Sequence, residues 1–157
     1  MSPTSLARIV EQNHAQLASA LVDQLTHSRA PHYRAIGVDR LSRRSAELVR
    51  SLIAALQQGP APFVQHMVTV TRERLREGVE LRELQLALSR LEQQAWKVVV
   101  ARTPPELHAD LLACLTTVIG LAKDRVAQVV VEDRQREALS ALSRGTDAAP
   151  ETEVHDD

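Results

Sequence analysis

Between Phe63 and Arg102 the sequence FVQHMVTVTRERLREGVELRELQLALSRLEQQAWKVVVAR carries two apolar stripes of helical period that meet at one glycine, Gly78. In the first stretch Val64, Met67, Val68, Thr71 and Leu75 share a face, while Arg72, Glu73, Arg74, Arg76 and Glu77 take the other. In the second, Leu81, Leu84, Leu88, Leu91, Ala95 and Val98 keep alternating spacings of three and four. Leu86, Trp96, Val99 and Val100 widen that stripe, so both of its flanks are expected to be buried. Gly78 stands where one stripe has stopped and the other has not begun. The pattern predicts a left-handed residue there, a sharp turn, and two helices packed at a fixed angle.

Leu, Ala and Val dominate, and Tyr33, Phe63 and Trp96 are the aromatics, a palette that favours helix packing over sheets. With 157 residues, 44% apolar and 25% charged, one helical domain is expected, of globin-like or bundle type. It is assigned to residues 1–144, and 145–157, poor in apolar and basic residues, to a disordered acidic tail. The formal net charge of −1 removes the global attraction on which nucleic-acid and anionic-membrane binding depend, so neither is an expected partner. A single cysteine, Cys114, excludes an internal disulfide, and no charged-then-apolar leader opens the sequence, so a cytoplasmic setting is expected. The longest uncharged apolar run, 111–122, falls short of the roughly 20 residues a membrane-spanning helix requires.

Leu6, Ile9, Val10, Leu17, Leu21 and Leu25 predict one helix from Pro3 to about Thr26. A connector containing Pro31, Tyr33 and Gly37 follows. Asp39 is the expected cap of the next helix, whose inner face is Leu41, Leu48, Leu52, Ile53 and Leu56 and whose stop is Gly59-Pro60. Thr103-Pro104-Pro105 breaks the chain again, with Thr103 as a candidate cap for a last helix of some 40 residues. At 1.5 Å per residue that helix is about 60 Å long, more than a domain of this size is wide, so its C-terminal third is expected to project.

The residues that chemistry requires are present but not assembled. The six histidines show no metal-ligand spacing, so no metal site and no cofactor is predicted. His66, His108 and Trp96 are the candidates for lining a cofactor pocket, should there be one. Cys114 sits in an apolar helical run without a neighbouring base, no glycine-rich phosphate loop occurs, and no catalytic residue is assigned. The outer face of the second predicted helix carries Arg40, Arg43, Arg44 and Arg50, a candidate surface for an anionic partner, although arginine supplies most of the basic residues throughout and such a face is commonly just solvated.

The arrangement Arg74-x-x-x-Gly78-x-x-Leu81-x-Glu83, followed by leucines at helical spacing and by Trp96, resembles the N-terminal sensory domain of RsbT co-antagonist (RsbR-type) stressosome proteins. The likeness spans roughly 32–100 and includes the connector with Tyr33 and the helix ending in Gly59-Pro60. It implies a globin-like fold that generally lacks haem, a dimer, and a signal passed along a long C-terminal helix to an output domain. Here only a short stretch follows that helix, so a stand-alone sensor or adaptor is the expectation.

A non-enzymatic regulatory domain that dimerises and signals through a partner protein is therefore expected, with a small-molecule or haem carrier as the alternative. Val126, Val129, Val130 and Val131 place apolar groups on several sides of the last helix, and the first three are expected at the seam of a homodimer.

Overall fold

The computed structural model describes residues 3–147 and contains seven helices and no strand among them. They are α1 (Pro3–Gln12), α2 (His14–Thr26), α3 (Pro31–Ala35), α4 (Val38–Gln58), α5 (Ala61–Arg76), α6 (Leu81–Arg102) and α7 (Pro105–Asp147). The all-helical class read from the periodicity is the class observed. The expected tail falls mostly on 148–157, outside the described residues, but Gly145 to Asp147 continue α7 rather than starting a tail.

Where one helix was expected from Pro3 to Thr26, the chain breaks at Asn13. Its side-chain amide donates to the Ile9 carbonyl at 2.7 Å, and its backbone leaves the helical region at φ −116°, ψ 15°. An asparagine that satisfies its own preceding turn competes with helix propagation, and the apolar pattern around position 13 does not report this. Asp39 is not the cap of α4: Gly37, at φ +88°, occupies that position, and Asp39 lies in the first turn, where its charge suits the helix dipole. Thr103 caps nothing ahead of it, because its hydroxyl donates back to the Val99 carbonyl at 2.6 Å.

Gly78 has φ +83°, and the turn it makes is the predicted one. The Val79 N–H reaches the Arg74 carbonyl at 3.0 Å and the Gly78 N–H reaches Leu75 at 3.1 Å, the paired bonds of a Schellman ending. Two residues on, Glu80 opens α6 in a capping box with Glu83, whose Oε2 accepts from the Glu80 N–H at 3.1 Å. One helix is thus closed and the next opened within four residues.

α5 and α6 do not hold their angle by broad mutual packing. Each packs instead against α7, which lies between them, while α4 adjoins α5 and the α1–α2 pair bridges α4 and α6. The helices form a ring, and Leu17, Leu21, Leu52, Phe63, Leu88 and Leu115 are among the side chains that fill it. The buried face of α5 is Phe63, Met67 and Thr71, rotated from the predicted stripe, with Val64, Val68 and Leu75 half-buried. On α6 the predicted stripe holds from Leu84 onward, but one flank only is covered. Val99 is buried, whereas Trp96 is 42% and Val100 49% exposed.

Val126, Val129 and Val130 are buried within the chain's own fold. Their assignment to a dimer seam is therefore a misreading: α7 is flanked by α5 and α6, and a helix held between two neighbours hides more of its circumference than a helix on one face of a bundle. Val131 alone of the four is exposed, and almost every residue from there to Asp147 is exposed too. At 1.5 Å per residue this leaves about 25 Å of α7 standing clear of the body. By length and composition alone, α7 is long and apolar enough to cross a membrane; its Leu111, Leu115, Val118, Ile119, Ala122 and Val126 belong to the core cluster.

Candidate functional site

The densest polar structure surrounds Glu77, at the close of α5. Pro31 starts the short α3 with its fixed φ, and α3 brings His32 and Tyr33 against the α5–α6 turn. The buried Tyr33 hydroxyl donates to the Glu83 main-chain carbonyl at 2.7 Å, and the His32 N–H points to Glu83 Oε1 at 3.4 Å. Glu83 thus serves its own helix through one oxygen and α3 through the other.

Arg44 crosses from α4 and donates through Nη2 to both Glu77 oxygens, at 2.9 and 3.2 Å. Arg74 approaches the same carboxylate at 3.5 Å and Arg40 at 3.9 Å. Burial alone would push the Glu77 carboxyl up, but the Arg44 hydrogen bond and the charges of Arg44 and Arg74 outweigh it and hold its pKa below the usual value. His32 Nε2 lies 3.2 Å from Arg44 Nη1, which can only donate, and 3.7 Å from Glu77. The closer guanidinium and burial favour the neutral ring with Nε2 as acceptor, and its pKa is lowered, by burial first and Arg44 second.

Beside this network lies a cavity of about 60 Å³, bounded by α2, α3, α4, α5 and α6. Arg44, Arg74, His66 and Ser45 contribute its polar lining, and Leu21, Met67 and Leu84 are among its apolar walls. The His66 pKa is lowered chiefly by burial, against the opposing pull of Glu47. A second, open groove of about 710 Å³ runs between α6 and α7, lined by Trp96, Val100 and Lys97, with the Lys123–Glu92 ion pair at 3.7 Å within it.

The candidates named from sequence are dispersed. His66 lines the small cavity, Trp96 the open groove, and His108 turns its Nε2 to the Thr103 carbonyl at 3.0 Å. The four arginines of α4 do not form one surface. Arg44 is committed to Glu77 and Arg40 leans the same way, whereas Arg43 is exposed and Arg50 lines a groove between α2 and α4. Among the described residues no group of three or more His, Cys, Asp or Glu side chains is placed to hold a metal ion. Cys114 is half-buried where α7 passes the α4–α5 junction.

The sequence reading did not anticipate the polar network. Its partial signal was the Arg74, Gly78 and Glu83 spacing, since those three residues close α5, turn the chain and open α6; the Glu80-x-x-Glu83 capping pattern was also present. His32, Tyr33 and Glu77 carried no periodic signal, because their partners are distant in sequence: Tyr33 meets Glu83 across 50 positions, and His32 meets Glu77 from another helix.

Comparison with known protein families, with characterised proteins and with solved structures gives no match for this chain.

Proposed function

We propose that this protein is a non-enzymatic regulatory domain that forms a homodimer and signals to a partner protein through the free end of α7. The observation that carries the proposal is the about 25 Å of helix beyond Val131, on which Leu139 is 67% and Leu142 71% exposed. A helix that leaves its body and keeps leucines in water is suited to docking on another protein. The resemblance of the Arg74–Gly78–Glu83 segment to RsbR-type sensory domains supports a role in bacterial stress signalling in the cytoplasm, without nucleic acid or membrane as partner.

Light scattering on the full chain tests the first half, with a mass near twice 17.4 kDa as the supporting result. Leu139→Glu with Leu142→Glu should then give a folded monomer with an unchanged melting temperature. A parent chain that is monomeric at micromolar concentration overturns the dimer. Affinity capture with the parent and with this double variant tests the second half: a protein retained by the parent alone supports signalling through α7, and equal retention by both overturns it.

The small cavity favours a second reading, a carrier or sensor of a small molecule. At about 60 Å³ it lies far below the roughly 300–1,000 Å³ of ordinary ligand pockets, so haem does not fit it.

A further inference from the structure

We propose that the cavity beside Arg74 is a binding site for a small carboxylate with a short hydrocarbon portion. Ser45 is 2% exposed, it lines the cavity, and its Oγ has no hydrogen-bond partner among the described residues. Some helical hydroxyls in this protein satisfy themselves on the preceding turn: Thr71 donates to the Met67 carbonyl at 2.6 Å and Thr117 to Ala113 at 2.8 Å. Ser45 does not, and a buried hydroxyl without a partner is a donor and an acceptor held ready.

The second part is Arg74, whose side chain is 12% exposed. Its guanidinium has five N–H donors, yet its one hydrogen bond among the described residues reaches Glu77 at 3.5 Å, and Glu73 stands at 3.6 Å. The better geometry on Glu77 belongs to Arg44. Arg74 is thus a half-buried cation whose nearest carboxylate is already claimed, and it lines the same cavity as Ser45. The acidic side chain of the lining, Glu47, is exposed.

The remaining walls choose the ligand. Leu21, Met67 and Leu84 present hydrocarbon, which suits a short alkyl group and offers nothing to the outer oxygens of sulfate or phosphate. The volume admits a few heavy atoms, the size of acetate or propionate. In the bound state the carboxylate accepts from Arg74 and from the Ser45 hydroxyl, and the alkyl end lies on the leucines. The site stands apart from the free end of α7 and does not depend on the oligomeric state.

Titrating the ¹⁵N-labelled full chain with propionate at constant ionic strength, and following amide shifts, tests the site. Propionamide, sulfate and chloride serve as the comparison solutes. Saturable shifts are expected for residues around Ser45 and Arg74 with propionate and not with propionamide. Affinity should fall at least tenfold in Arg74→Gln and several-fold in Ser45→Ala. Should Arg74→Gln not fold, Ser45→Ala carries the comparison, since it removes one oxygen from an otherwise intact wall. No saturable response means the cavity holds only water and overturns the proposal. Equal binding of propionamide, or equal binding of sulfate, also overturns it, as does a propionate response that survives both substitutions. Because a monomer and a dimer can both be titrated, failure here leaves the regulatory reading standing, and a monomeric mass leaves this site standing.

Discussion

The hydroxyl of Tyr33 and the main-chain carbonyl of Glu83 meet at 2.7 Å, fastening a five-residue helix to the opening turn of α6. The neighbouring residue of the same short helix, His32, reaches the Arg44–Glu77 pair, with Nε2 3.2 Å from Arg44 Nη1. Tyr33→Phe keeps the ring and removes only this bond, while the Glu83 carbonyl keeps its helical partner within α6. The expected loss is about 1 kcal/mol, read from urea denaturation with an unchanged m value.

The same burial raises the Tyr33 pKa well above its ordinary value of 10, with the Glu83 charge contributing second. Tyr33 is the only tyrosine, so its absorbance change is unambiguous. The folded state keeps the proton where the unfolded state would release it, so stability is complete below about pH 10 and declines above it. Phenolate absorbance should therefore appear only together with loss of helical circular dichroism.

Gly78→Ala isolates backbone strain, because a Cβ at this position would meet nothing within 4 Å. The φ of +83° is the whole cost, about 1 kcal/mol, and Gly78→Asn should cost less because asparagine tolerates the left-handed region better. Equal losses for Ala and Asn in chemical denaturation would mean that the turn rearranges instead.

Acid should weaken the protein in two stages. His66 and His32 have lowered pKa values, so the unfolded chain takes up protons first. Their contribution is complete above the ordinary histidine value of about 6.5 and is lost as pH falls below it. Glu77 is also lowered, and its contribution is present above the ordinary carboxylate range and lost as pH falls through it. Melting temperature followed from pH 8 to 4 should fall in both intervals. In His66→Gln with His32→Gln, the decline near pH 6 should flatten and the lower one remain.

The valines and leucines of α7 should behave in opposite ways. Val129→Ala empties a buried position and should cost about 1–3 kcal/mol without changing molecular mass. Leu139→Glu lies in the exposed stretch and should leave stability within about 0.5 kcal/mol. The two are separated by pairing thermal melts with light scattering.

The contrast shows where the sequence was legible. Periodicity marked α7 as apolar at 126, 129 and 130 and as polar from Glu132, and it gave the helical class and the turn at Gly78. It could not say which neighbours would cover those valines, because the same stripe serves a seam between copies or a wedge between two helices. Asn13 escaped because a single side-chain bond ends α1 without disturbing the apolar spacing. The Glu77 network escaped for a different reason. Arg44, Arg74, His32 and Glu83 look like ordinary surface charges until α3 and α4 are folded onto the end of α5, and only then do their distances acquire meaning.

That α7 lies between α5 and α6 also sets the order in which the protein can be completed. Until the chain has been made past Val130, α5 and α6 lack the neighbour that both pack against, and the core lacks Leu111, Leu115, Ile119 and Val126. Closure therefore waits for distant residues, and loop-closure entropy must be met late rather than early. The segment that completes the body also extends beyond it as one unbroken helix. A torque applied near Leu142 would then act on the very element that keeps α5 and α6 apart.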